Sequence, residues 1–407
     1  AMSNRITRRN SIAAAAGSLA ALGLSKFAIA NDEVTSATTP AISKAAATPV
    51  TPPTDTSWAS FRNGAAQRGI AKSALSKDPQ LKWEVASRDG WIATCAIVGN
   101  HVYAPALFGY LHCFDKETGA ELWKYRSIDN PDEKKFAPGF KAAPLVSATA
   151  VYVGDEDGVL HAIDRSTGKL LWKYSTDAEI AGGVAVYNDN ILLASHDAFL
   201  YCLNKAGEEQ WKFQTNDRIN CSPAVVETFS FVSGCDEHLR VIDLTNGSEV
   251  RDVPMGSYMI ASPAVVDEML YVGSHAGDVA GVNWKTGDIK WRYKATRELP
   301  FHASAAVTDD LVLVGGHDKH MHAIDRTTGE RRWLFATKAR IECSAAVVDN
   351  RLFFGSGDGN VYGLSVEDGT EVWKYNAGKP VNAGVAIGEG CLVVGEDSSN
   401  GRLRCFA

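Results

Sequence analysis

Residues 144–174 read Pro144-Leu-Val-Ser-Ala-Thr-Ala-Val-Tyr-Val-Gly-Asp-Glu-Asp-Gly-Val-Leu-His-Ala-Ile-Asp-Arg-Ser-Thr-Gly-Lys-Leu-Leu-Trp-Lys-Tyr174, and this stretch decides the fold. The apolar run Val151-Tyr-Val-Gly154 meets a turn at Asp157-Gly158. A second run, 159–164, meets a turn at Ser166-Thr167-Gly168, and a third ends in Trp172-Lys-Tyr174. Short alternating runs separated by Asp-Gly and Thr-Gly turns predict antiparallel strands, and with an inner strand before them they make a four-stranded meander. The turn glycines permit positive φ, and Asp164 is placed to accept hydrogen bonds from the turn backbone. Trp172 supplies a large apolar body for packing one such sheet on the next.

Outward from this stretch the unit repeats. The turn glycine recurs at 119, 168, 207, 247, 287, 329 and 369, at spacings of 49, 39, 40, 40, 42 and 40 residues. Four residues after each stands Trp123, Trp172, Trp211, Arg251, Trp291, Trp333 or Trp373. A period near 40 is that of propeller blades. An eighth copy is split: residues 383–407 supply inner strands, while Leu81-Lys-Trp83-Glu-Val85 has the character of the missing outer strand, 40 residues before Trp123. The expectation is an all-β chain, an eight-bladed β-propeller of four-stranded antiparallel blades. Its last blade is closed by the N-terminal strand, which leaves no free sheet edge.

The pattern Ala-x-Asp-x-x-Thr-Gly-x-x-x-Trp at 162–172 and 323–333 resembles the PQQ-like, quinoprotein-type repeat, and Trp58-Ala-Ser-Phe-Arg-Asn-Gly64 is similar to the lead-in of that family. The likeness runs from Trp58 to Ala407. It implies the propeller. Its members include pyrroloquinoline-quinone dehydrogenases and the non-enzymatic propeller lipoprotein of the outer-membrane protein assembly machine, and a scaffold motif common to both does not choose between them. A quinoprotein dehydrogenase, by the same resemblance, carries a calcium site of Glu, Asn and Asp, an Asp base, an aromatic floor and usually adjacent cysteines. Here no two cysteines are adjacent, and the blades are near minimal length. The expectation is therefore a protein without a cofactor, with PQQ and Ca2+ as the alternative. The lipoprotein's lipid attachment has no counterpart either, since no lipobox cysteine follows the leader.

Residues 1–30 read as an export signal: a basic start around Arg5, Arg8 and Arg9, a short Ala/Gly/Leu run, and Ala28-Ile29-Ala30. Arg8-Arg9 resembles the twin-arginine signal, although Ser11 stands where that pattern usually has Phe. Residues 31–56, rich in Ala, Thr, Ser and Pro, read as a disordered spacer. Residues 57–407 form the propeller. The net charge of −7 argues against nucleic acid as the partner. No apolar run outside the leader reaches the roughly 18–20 residues of a membrane helix. Of the eight cysteines, Cys113, Cys202 and Cys405 share one repeat position with Ala162 and Ala323, which marks a core site, and no CxxC occurs.

Chemistry is sought in the repeat columns. His112, His161 and His322 occupy one column with Tyr201 and Tyr362; His196, His275 and His317 occupy another. Equivalent positions on successive blades radiate apart, so these histidines are expected not to share a metal ion. Ser222 and Ser262, each before Pro, read as structural punctuation. The informative column lies at the start of the inner strands: Ile92, Lys141, Ala181, Asn220, Ile260, His302, Glu342 and Asn382. These positions should approach one ring at the funnel mouth. Lys141, Asn220, His302, Glu342 and Asn382, with Arg218 and Arg340 two residues further out, are the candidate ligand-binding residues, beside the Ser127–Phe140 insertion and the Ser398-Ser399-Asn400 loop. The competing reading is a polar mouth that is merely solvated. The chain is read as a non-enzymatic, periplasmic propeller that binds a protein, peptide or envelope component, with a quinoprotein dehydrogenase of alcohols or sugars as the alternative.

Overall fold

The computed structural model describes residues 54–407 apart from Asp89. The expected export signal and the spacer up to residue 53 lie outside the described residues. Seven blades follow in chain order at 96–126, 145–175, 185–214, 224–254, 264–294, 306–336 and 346–376, each of four sequential antiparallel strands. The eighth joins Ala386–Gly388, Cys391–Gly395 and Arg402–Phe406 to the N-terminal strand Leu81–Ala86, with Trp83 opposite Cys405 and Val85 opposite Leu403. Reciprocal backbone bonds of 3.0 Å between Gln80 and Ala407 fasten the two chain segments together. The split blade expected from the repeat is present.

Each blade is held to the next by the Thr-Gly turn and the tryptophan. The Asp164 carboxylate accepts from the backbone N–H of Ser166 at 3.1 Å and of Thr167 at 2.8 Å, and Gly168 takes φ +69°. A Cβ on Gly168 would lie 2.7 Å from the Trp123 ring of the preceding blade, so the turn needs glycine for two reasons, positive φ and close approach. Trp123 Nε1 then donates to Arg165 O at 3.2 Å. The same pairing recurs at Trp172 with Lys205 O, Trp291 with Arg326 O and Trp333 with Val366 O. Arg251, the one departure from the column, lies on Gly287 and donates to Thr286 O at 3.1 Å. It bonds the same turn, at a carbonyl nearer the glycine than the one the tryptophans use. Trp284 of blade 5 packs back on Phe229 and Phe231 of blade 4 and so covers apolar surface beside that position.

Residues 56–71 do something the repeat does not foretell. They run around the inner edges of the blades at one end of the axis. Trp58 exchanges two 2.8 Å backbone bonds with Ile97; the carbonyls of Ala59, Ala65, Ala66, Arg68 and Gly69 accept from Val146, Val225, Val265, Val307 and Val347. Ile70–Ala71 adds a parallel fifth strand to blade 7. Arg62, fully buried, donates to Ala345 O and Ala305 O, joining blades 7 and 6, and burial lowers its pKa to about 10. Thr54 and Thr56 hydrogen-bond Glu389 at 2.7 and 3.0 Å. The axis is thereby closed at this end.

Candidate binding funnel

The inner strands start at the opposite end, and there the chain converges. All eight residues of the column, Ile92, Lys141, Ala181, Asn220, Ile260, His302, Glu342 and Asn382, line one axial cavity of about 260 Å³. One step deeper, hydroxyls make a belt. The N–H groups of Gly183, Ser222, Ser262 and Ser304 donate to the Oγ atoms of Ser222, Ser262, Ser304 and Ser344 at 2.8–3.0 Å. These serines tie blade to blade, as their repeat position suggested. Phe61 of the closing segment also lines the cavity. The funnel is blind at its floor and open at its mouth.

The polar side chains of the mouth are partnered. Lys141 Nζ lies 2.7 Å from Glu156 and 3.2 Å from Glu179. Burial works against its ammonium, but the two carboxylates outweigh it, and its pKa is raised. Glu156 also accepts from Gly139 N at 2.9 Å, which anchors the end of the Ser127–Phe140 insertion to the funnel. Asn220 donates towards Cys235 Sγ and Met259 O, and Asn382 donates to Asp397 at 3.0 Å. Glu342 Oε1 lies 2.8 Å from Arg340 Nε and 3.3 Å from His317 Nε2. Arg218 is exposed, near enough to His196 to oppose its protonation.

A row of imidazoles crosses the mouth. Tyr258 stacks on His275 at 4.2 Å; His275 Nδ1 is 3.0 Å from His302 Nε2; the rings of His302 and His317 are 4.5 Å apart. His302 is the link. It sits between two members of the other histidine column and joins residues that their shared repeat position alone would leave apart. Burial, then the neighbouring His317, His275 and Arg340, lower its pKa to about 4. His317 and His196 are also lowered, chiefly by burial. Among the described residues no three His, Cys, Asp or Glu side chains are grouped to hold a metal ion. Of the cations of the mouth, Lys141 is paired with Glu156 and Glu179 and Arg340 with Glu342.

The candidate residues thus divide. The five column members form the ring, Arg340 reaches it through Glu342, and Arg218 stays on its rim. Glu156, Glu179, Tyr258, His275, His317 and Asp397 complete the networks without having been singled out as ligand-binding. Their only signal in the sequence is that polar residues cluster in the second turns and in the approaches to the inner strands. The other histidine column is structural: His161 and His322 are buried, held by Asp155 at 2.8 Å and Asp318 at 3.1 Å.

Comparison with known proteins places this geometry. The propeller matches the solved structure of BamB from Moraxella catarrhalis with TM-score 0.66 and 18% identity, covering 81% of this chain and 97% of that one. It matches quinohemoprotein alcohol dehydrogenase from Comamonas testosteroni with TM-score 0.72 and 13% identity, covering 86% and 80%. At such identities the likeness is one of fold. A 90-residue stretch is 27% identical to the human beta-alanine-activating enzyme, 20% of this chain but only 8% of that protein's length. The family described as "Outer membrane protein assembly factor BamB" matches at residues 68–182, 156–300 and 294–403. With those matches spanning nearly the whole propeller, the chain belongs to the BamB family of PQQ-repeat propellers.

Proposed function

We propose that this protein is a non-enzymatic binding propeller of the periplasm, whose funnel face recognises a protein, peptide or envelope component. The observation that carries the reading is the blind funnel with a polar but charge-balanced mouth. Its floor is closed by 56–71, and Lys141, Arg340 and Glu342 are each paired with a neighbouring charge. Such a surface offers shape, imidazoles and amides to a partner's polar groups. Family membership supports protein partners. The leader around Arg8-Arg9 supports export. Among the described residues no helix is long and apolar enough to cross a membrane.

The test uses His302→Ala with Glu342→Ala. Purified protein carrying a photo-crosslinking residue at Ile260, which is 39% exposed in the mouth, should capture a discrete envelope component, and the double variant should lose that adduct while keeping its unfolding midpoint. The dehydrogenase reading has the fold of the quinohemoprotein enzyme in its favour. Dye reduction by an alcohol or aldose after addition of PQQ and Ca2+, lost in the double variant, would establish that reading instead.

A further inference from the structure

The outer strand carries a second aromatic column two residues after the tryptophan: Tyr125, Tyr174, Phe213, Tyr293, Phe335 and Tyr375. These rings fill the clefts between blades. Tyr125 Oη meets His161 Nδ1 at 2.9 Å, and Tyr293 Oη meets His322 Nδ1 at 2.9 Å. Tyr174 packs on Tyr201, Phe335 on Tyr362, and Tyr375 under the Arg404 guanidinium. Five of the six rings rest on the middle-column residue of the next blade. In the two histidine cases a second ring closes the other side, Phe140 on His161 at 5.3 Å and Phe301 on His322 at 5.0 Å.

Blade 8 breaks this column with Val85, at the seam where the ring closes. The receiving half is intact. His112 stands in the histidine column, and Trp91 lies edge-on to it at 5.5 Å, as Phe140 does to His161. Without the ring a groove of about 240 Å³ remains, walled by Val85, Trp91, Phe108, Tyr110, His112 and Phe114. Blade 4 also lacks the ring, at Val253, but there the buried Met255 and Met259 fill the cleft and Arg292 crosses it to Met255 O at 2.9 Å. Blade 8 has no such filling.

One unspent polar group points to an occupant with a hydroxyl. Trp91 is 1% exposed, yet its Nε1–H has no hydrogen-bond partner. Buried indole N–H groups ordinarily find one. His112 differs from its counterparts: its Nδ1, the nitrogen that meets the phenol in His161 and His322, is held by Glu121 at 2.7 Å, so the groove presents that carboxylate beside the imidazole.

We propose that the groove between blades 8 and 1 is a docking site for a tyrosine side chain of an extended polypeptide partner. The six internal rings show the chemistry that fits such a cleft, and each is delivered by an extended strand. The rim suits a peptide: Arg88 lies over Phe108, Lys124 over Tyr110, and Glu133 comes from the Ser127–Phe140 insertion. Trp91 precedes the funnel residue Ile92, so the groove opens on the funnel's own face. It is nevertheless a separate site, and its occupancy does not depend on what the funnel binds.

The experiment titrates the full propeller with dye-labelled acetyl-Ser-Ala-Tyr-Ala-Ser-amide, read by fluorescence anisotropy, alongside the same peptide with Leu or Ala in place of Tyr. The tyrosine peptide should bind at least about tenfold more tightly than either. Val85→Tyr supplies the ring from within; it should raise the unfolding midpoint and abolish peptide binding. Trp91→Phe keeps the wall but removes the indole N–H, and should weaken the tyrosine peptide by about three- to tenfold, the worth of one hydrogen bond, while leaving a phenylalanine peptide unchanged. Equal binding of the Tyr and Leu peptides, undiminished binding to Val85→Tyr, or a Trp91→Phe effect identical for both aromatic peptides would overturn the proposal. Free N-acetyl-tyrosinamide binding as tightly as the peptide would overturn its assignment to a polypeptide.

Discussion

The repeat's glycine and tryptophan are two halves of one contact, and a double-mutant cycle on Trp333 and Gly369 tests that. Trp333 is buried and donates through Nε1 to Val366 O at 2.9 Å. Gly369 has φ +75°, and a Cβ there would lie 2.6 Å from the Trp333 ring. Trp333→Ala should cost about 3–5 kcal/mol, the usual loss for a large buried aromatic. Gly369→Ala should cost about 1–2 kcal/mol for a left-handed backbone and about 1–3 kcal/mol more for pushing into the ring. In the double variant the ring is gone and only the backbone penalty of Gly369→Ala remains. The two losses should therefore fall short of additivity by about 1–3 kcal/mol. Equilibrium urea unfolding, with the m-value checked for constancy, reads all four corners of the cycle. Additivity within about 0.5 kcal/mol would refute the idea that the tryptophan's approach is what demands the glycine.

The remaining expectations concern pH and the N-terminal segment. His302 is lowered from 6.5 to about 4, so below pH 6.5 the unfolded chain binds the proton more readily than the folded one, and stability should fall as pH drops from 7 towards 4. His302→Gln should flatten part of that slope in melting curves recorded across this range; an unchanged slope would count against a neutral His302 in the fold. Deleting residues 31–53 should leave the melting temperature unchanged, whereas deletion through Ala86 should abolish the cooperative transition, because it removes the closing segment, Arg62 and the outer strand of blade 8; equal melting of the two truncations in calorimetry would contradict the closure. Replacing Arg8 and Arg9 with lysine should leave precursor in the cytoplasm on fractionation, and unimpaired export would remove the twin-arginine assignment.

How much of this was legible in the chain differs by element. Turn glycines at a 40-residue period and the tryptophans four residues later are local chemistry written once per blade, so blade count, strand order and even the split eighth blade follow from spacing. The ring of Lys141, Asn220, His302, Glu342 and Asn382 was legible for the same reason: in a closed propeller one repeat position maps onto one circle about the axis. What closes round that circle was not. Lys141 meets Glu156 and Glu179 from two different approaches, and His302 links His275 to His317, because lateral distances at the mouth depend on how far the blades converge. Residues 56–71 are the extreme case. They carry no repeat, and most of their bonds are made by backbone atoms to partners far away in sequence, so the lead-in Trp58–Gly64 could be matched to the family but its course round the blades could not be read from side-chain pattern. The vacancy beside Val85 is similar. A valine in an outer strand is unremarkable until the neighbouring blade brings Trp91 and His112 to the place where a ring belongs. Periodicity is fixed by short-range turn and strand preferences, but the filling of each cleft is fixed by ring closure, which only the folded chain imposes.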